Sequence, residues 1–406
     1  MNVEYAAVMR RFSTRGWVSI WDTAHPSVWL TSWCIKIFSH VSFQDWEDYI
    51  YIDPEVFGSS VMWLINQQDV EGEFFETEYY SENPLHKPMT RNPDAGHIAL
   101  TAHVLISLQE TADKLYGEIK KYSSSARQRA RRFLERNLPK ITDPYELAIV
   151  SYALVLARSP EADAAYGRLL QMKREESGMV YWSPTKIKTN RVRYLQFNRP
   201  FLEGKDKQVN DALAVEATGY ALLVLFQVQG GGVTVLQDQI VTWLNTMRLG
   251  VGGFIATQDT IIALEALVSY SYNSRIKDIT NLNIEVEVPD SNITKNVYFN
   301  GNGISNLQEI IIPNVWGHVN YHATGAGQAV AQLSINYGID HEPFKDQPQI
   351  ECFKLSIYEN YRGRNKSEID VRSCMSWTCT SDSPTSGMAM LVVDTPTGYI
   401  MLQVGL

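Results

Sequence analysis

One fourteen-residue string occurs twice in this chain. VMWLINQQDVEGEF at 61–74 and VTWLNTMRLGVGGF at 241–254 align without gaps on Val, Trp and Leu at the first, third and fourth positions, then on Gly and Phe at the twelfth and fourteenth. An internal repeat confines a chain to architectures in which one supersecondary unit recurs. Trp63-Leu64 and Trp243-Leu244 fall near the ends of apolar-periodic segments, and Gly72 and Gly252 follow as helix stops. Phe74 and Phe254 then tuck under the turn and fix where the next helix begins, within Gly252-Gly253-Phe254 and the following Gln258-Asp259. Looser copies stand at Arg15-Gly16-Trp17 and at 177–182, SGMVYW.

Apolar residues at i, i+3, i+4 and i+7 predict nine helices, over 27–40, 53–68, 94–111, 123–138, 143–158, 160–175, 210–228, 233–248 and 257–272. Asp53-Pro54 and Asp143-Pro144 place a capping carboxylate before a first-turn proline, and Thr257-Gln258-Asp259 offers a third cap. Helices such as ELAIVSYALVLA are apolar all round, whereas SSARQRARRFLERN has one charged face. Alternation of the two kinds is what an inner ring of helices covered by an outer ring demands, which is an α/α toroid. Nine helices do not close a ring of six pairs, so the ring is expected to be incomplete or to lack about three N-terminal helices. Apolar flanks, including Trp29, Trp33 and Phe38, are then expected to be exposed.

After Asn273 the period drops to two, and strands are expected at 281–289, 292–300, 307–313, 317–324 and 328–337. A further β unit begins near Pro343, with strands at 351–359, 368–377 and 387–394, and stops at Leu406 short of a full sandwich.

Composition limits the partners. Lys+Arg 36 against Asp+Glu 45 leaves a net charge of −9, which argues against nucleic acid. The basic cluster Lys120, Lys121, Arg127, Arg129, Arg131 and Arg132 reads as the solvated face of a helix. No run of eighteen apolar residues indicates a membrane span, and no leader follows Met1, so the chain's beginning reads as internal. Of four cysteines, Cys34 lies in an apolar run and reads as core, while Cys352, Cys374 and Cys379 are candidates for one disulfide. The sequons at Asn292 and Asn365 add a glycosylation signal, and together these lean towards an oxidising, secreted setting.

Metal chemistry finds no support: there is no HExxH and no Cys-x-x-Cys, His97 and His103 fall on different helix faces, and His318 with His322 lacks a third ligand. No cofactor is expected. Toroids also house terpene cyclases and prenyltransferases, but the aspartate clusters or zinc set that those need are absent. His86, in ENPLHKPM, is the one polar loop residue with a potential chemical role.

The chain resembles the C-terminal part of the α2-macroglobulin and complement family, including arthropod thioester-containing proteins. The matching segments are VWLTSWCIKIF, YIDPEVFGSSVMWLINQQ, LHKPM, ALTAHVLISLQE, VEATGYALLVL, GGFIATQDTIIALEAL, TGAGQAVAQLSINY and SGMAMLVVDTPTGY, in the same order. The resemblance implies a thioester-domain-like toroid over 1–275 with its first helices upstream, the second half of a CUB-like β domain over 276–342, and a truncated receptor-binding domain over 343–406. It implies a secreted, non-enzymatic protein that entraps proteases or tags microbial or cell surfaces, with a clearance receptor met through the last domain. His86 falls at the family's thioester-transfer histidine, which attacks the strained acyl group before passing it to a hydroxyl. Yet no cysteine here has Gln three residues on, so the thioester lies upstream or is lacking, as in the insect macroglobulin complement-related proteins. The alternatives are a thioester-less scaffold or adhesion protein of the same family and, more remotely, a toroid enzyme.

Overall fold

The computed structural model describes residues 8–19, 25–42, 51–77, 96–187, 210–229, 233–249, 252–274, 280–301, 307–314, 317–327, 331–333, 352–380 and 394–400, with 329, 386, 389 and 391. It separates into two compact units, residues 1–337 and 338–406. Among the described residues the first unit holds nine α-helices: α1 (Val28–Val41), α2 (Pro54–Ile65), α3 (Gly96–Glu110), α4 (Gly117–Asn137), α5 (Pro144–Leu156), α6 (Ala162–Gln171), α7 (Asp211–Gln229), α8 (Val235–Met247) and α9 (Thr257–Asn273).

The odd-numbered helices pack side by side in chain order and the even-numbered helices cover them. Sequence explains the division. Every residue from Pro144 to Leu154 on α5 is buried, whereas α4 buries only Ser123, Ala126, Ala130, Phe133 and Leu134. Proline and an acidic cap open α2 and α5: Asp53 accepts from the Glu55 amide at 2.9 Å, and Asp143 from the Tyr145 amide at 2.7 Å. The cap of α9 departs from expectation. Ala256 holds the capping position, and the Asp259 carboxylate reaches back to the Ile255 and Ala256 amides at 3.1 and 2.8 Å. Gln258 sits half-buried in that first turn.

The repeat has a precise structural basis in one turn built four times. Gly16, Gly72, Gly178 and Gly252 all take positive φ, at +89°, +97°, +75° and +85°. Shortly after each glycine, a buried residue turns its amide onto a threonine of the next inner helix. Val18 donates to Thr31 Oγ1 on α1, Phe74 to Thr101 on α3, Trp182 to Thr218 on α7 and Phe254 to Thr260 on α9, each at 3.0 Å. The hydroxyl satisfies a main-chain donor that has left water and has no strand to pair with.

Two expectations are corrected here. The segment 160–175 is not one helix: α6 ends at Gln171, and a two-residue hairpin follows, β1 (Arg174–Glu176) with β2 (Met179–Tyr181). Ser177 and Gly178 both have positive φ, the geometry that matches strand twist in a tight hairpin. Trp33 and Phe38 are not exposed flanks but 5 % and 6 % exposed, because His103 lies 5.2 Å from the Trp33 ring and Phe12 stacks on Phe38 at 5.4 Å. Trp29 is half-buried against His103. The exposed apolar side chains of α1 and α9 are instead Ile37 and the stripe Leu264, Val268 and Tyr272.

Beyond α9, β3 (Asn281–Val288) is flanked antiparallel by β4 (Ile293–Asn300) and β5 (Asn320–Ala326). Val286 and Val288 are buried from the middle strand. Residues 307–313 form no strand, and Leu307 and Ile311 stand 91 % and 79 % exposed, in no ladder with any described strand. The expected strand 317–324 begins only at Asn320, and most of 328–337 and 387–394 lies outside the described residues. In the second unit β6 (Phe353–Arg362) pairs with β7 (Glu368–Trp377). The Cys352–Cys379 disulfide closes the open end of that hairpin, and Cys374 remains a free, exposed thiol opposite Ser356.

A side chain at Gly72 would place its Cβ 2.4 Å from the Arg129 carbonyl oxygen, whereas one at Gly252 meets nothing nearer than the Arg248 side chain at 3.8 Å. Gly252→Ala therefore costs only the left-handed backbone, about 1–2 kcal/mol. Gly72→Ala costs visibly more because α4 must move. Gly253 has no positive φ and ordinary contacts, so Gly253→Ala stays within about 0.5 kcal/mol. Thermal unfolding of the three variants checks the order, and equal losses at Gly72 and Gly252 would contradict it.

Candidate functional site

His86 lies outside the described residues, but both ends of the segment that carries it are placed. The segment leaves from Phe75-Glu76-Thr77 and returns at the start of α3. Glu76 is held against the N-terminus of α1, its carboxylate accepting from the Val28 and Trp29 amides at 2.6 and 3.0 Å, while the Thr77 hydroxyl donates to the Pro26 carbonyl at 2.6 Å. Ser27 accepts from the Leu30 amide, so the first turn of α1 is satisfied by side chains. Burial pushes the Glu76 carboxyl above its ordinary value against the pull of those amides. At the other end the His97 ring lies 4.5 Å from Phe75, and burial lowers its pKa. The histidine-bearing segment is thus anchored at the end of the helical layer where α1 and α3 begin.

Burial pushes the Cys34 thiol up to about 12, so it stays protonated and acts as a small apolar side chain. His103 is buried between Trp29 and Trp33 with Nε2 3.3 Å from the Trp29 carbonyl oxygen. Among the described residues no cluster of three potential ligands could hold a metal ion, and His318 and His322 lie exposed, His318 in a loop and His322 opposite Glu285.

The inner helices carry a buried ionic network that sequence reading missed. Lys36 Nζ on α1 lies 3.3 Å from Glu110 on α3 and 3.1 Å from Glu265 on α9, joining residues 229 positions apart. His40 adds a 3.1 Å contact to Glu110, and the Tyr152 hydroxyl donates to the same carboxylate at 3.3 Å. Burial alone would push Lys36 down, but Glu110 and Glu265 outweigh it and hold the ammonium above its usual value. Burial likewise works against ionised Glu110, and Lys36 with His40 brings it below the carboxylate range. Beside this network the Tyr145 hydroxyl donates to Glu216 at 3.1 Å, and burial raises Glu216 to about 8. The signal for both was present as a charged residue inside an apolar run, Lys36 in CIKIF and Glu216 in AVEATGY.

The basic cluster on α4 is engaged within the fold. Arg129 donates to Gln68 at 2.6 Å and Arg127 to Gln109 at 2.5 Å, and Arg131 pairs with Glu135. Asn292 and Asn365 are exposed in left-handed turns, accessible for modification. One described helix, Asp211–Gln229, is long and apolar enough to cross a membrane, but 78 % of its window is buried inside the fold.

Because Glu216 is protonated more readily when folded than its ordinary value of 4.5 allows, the folded state binds the extra proton between about 4.5 and 8. Its contribution to stability is full below that window and is lost as pH rises through it, by about 1.4 kcal/mol per pH unit. Glu216→Gln keeps an acceptor for Tyr145 and removes this loss. Denaturant titrations should show the variant gaining on the parent from acid to alkaline pH, and parallel curves would refute the assignment.

A family model described as the A-macroglobulin TED domain matches residues 1–270. Complement C3 of Lethenteron camtschaticum is 28 % identical over 277 residues, which cover 66 % of this chain and 15 % of that protein. Complement C3 of Oncorhynchus mykiss is 28 % identical over 364 residues, 88 % of this chain and 19 % of the relative. Ovostatin of Gallus gallus is 27 % identical over 374 residues, 85 % and 23 %. The chain thus spans a quarter or less of the length of each of these relatives.

Proposed function

Because the chain belongs to the A-macroglobulin and complement family through a TED domain over residues 1–270, we propose that it is the capture region of a secreted innate-immune protein that entraps proteases or tags microbial and cell surfaces. The family is one of inhibitors and opsonins rather than enzymes, so the work is done by binding and domain rearrangement, without a cofactor. The observation that carries this reading is the TED match, which coincides with the helices joined by the repeated glycine turn and threonine contact. In this reading residues 1–275 form the thioester-domain-like toroid, 276–342 the second half of a CUB-like domain, and 343–406 the start of a receptor-binding domain that a clearance receptor would engage. The disulfide Cys352–Cys379 and the exposed sequon residues Asn292 and Asn365 support a secreted setting.

His86 is proposed as the transfer residue for a thioester formed elsewhere in the protein. A second reading, a thioester-less scaffold or adhesion protein, is favoured by two facts: no cysteine of this chain has Gln three residues on, and Cys34 is held as a protonated thiol.

Radiolabelled methylamine, which opens internal thioesters, separates the two. The chain alone should incorporate none, since no activated acyl donor is present. The full-length protein should incorporate it stoichiometrically if it carries a thioester. In that case His86→Ala should leave methylamine uptake intact but slow transfer to glycerol by roughly 10²–10⁴-fold. Absence of uptake by the full-length protein would transfer the weight to the scaffold reading.

A further inference from the structure

Where α5 begins, an open cleft of about 560 Å³ is lined by Thr142, Asp143, Pro144, Glu146, Met172, Arg174, Ser183 and Pro184. Glu146 is the anomaly in it. Its residue is 3 % exposed and no described group donates to its carboxylate, whose oxygens open onto the cleft. The other deeply buried carboxylates on the inner helices are all partnered: Glu216 by Tyr145, Asp259 by the Ile255 and Ala256 amides, and Asp211 likewise has a partner. A carboxylate set this deep, given no donor by the fold and open to a cleft, is placed to receive a donor that arrives from outside.

The walls define that donor. The first amides of α5 are already taken by Asp143, so the helix end offers little to an anion, and two carboxylates, Asp143 and Glu146, face the same space. Arg174 is tied into the wall, donating to the Ser183 and Pro184 carbonyls at 2.6 and 2.7 Å, which fixes the loop that closes the cleft. Pro144, Met172 and Pro184 supply apolar surface of the kind that an extended methylene stem covers while its charged head reaches further.

We propose that this cleft binds a cationic side chain, the ammonium of lysine or the guanidinium of arginine presented by a partner peptide, with Glu146 as the receiving carboxylate. The site is independent of any thioester and stands or falls apart from the capture reading. Asp143, Glu146 and Arg174 are the charged groups lining it. Burial first, and then the like charge of Asp143, push Glu146 up to about 7. An entering cation favours the ionised form, so binding strengthens as pH rises through that value and weakens as pH falls below it.

The test uses the intact chain and calorimetric titration with acetyl-Gly-Lys-Gly-amide, compared with the isosteric norleucine peptide. The lysine peptide should bind at least about tenfold tighter than the norleucine peptide. Glu146→Gln, which removes a buried charge and so leaves the fold intact, should abolish that difference. Met172→Trp, which adds bulk to the cleft wall and leaves Glu146 in place, should block both peptides. Equal behaviour of the two peptides, undetectable binding of both included, overturns the proposal, as does undiminished lysine preference in Glu146→Gln.

Discussion

Four backbone amides held by four threonine hydroxyls organise this fold. A toroid of helices must turn the chain sharply from an outer helix to the next inner one, and at four of these turns, though not between α4 and α5, a main-chain N–H enters the core without a ladder to receive it. The glycine permits the reversal, and the threonine receives the amide at 3.0 Å in all four cases. Each contact is worth only about 1 kcal/mol net, but losing the acceptor strands a buried donor at about 1–3 kcal/mol. The buried Phe74, Trp182 and Phe254 therefore arrive already oriented, and the register between layers follows.

The ionic network addresses a different difficulty. Inner helices apolar enough to pack on all sides would slide against one another, since close-packed aliphatic surfaces specify distance better than rotation. Lys36, Glu110, Glu265 and Tyr152 give α1, α3, α5 and α9 a single polar meeting point. Such a network is weak as a source of stability but costly to break once buried.

Helices were legible because period 3.6 dominates their sequence and because proline and carboxylate caps mark starts such as Asp143-Pro144. The repeat was legible as Gly and Phe at fixed spacing. Its partner was not: the threonine lies 13, 27, 36 or 6 residues beyond the donor, so no fixed motif contains it. The hairpin at Arg174–Tyr181 was hidden because its first strand, Arg174-Glu175-Glu176, follows α6 closely with charged residues of good helix propensity, and only Ser177-Gly178 betrays the reversal. Burial of Trp33 and Phe38 depends on His103 and Phe12, contacts that spacing does not encode. At the candidate site, chemistry alone marked His86 as a loop histidine with a potential role, and family resemblance supplied which role that would be. Glu146 passed unnoticed because a glutamate in a helix's first turn is unremarkable until its burial is seen.

Amide hydrogen exchange at Val18, Phe74, Trp182 and Phe254 tests the central claim most directly. If the threonine contacts anchor each turn, these four amides exchange only through cooperative opening of the helical layer, far more slowly than neighbouring turn amides, and Thr101→Val releases Phe74 while leaving the other three protected. Exchange of all four at the rate of exposed turn residues, or an unchanged Phe74 in Thr101→Val, would contradict it.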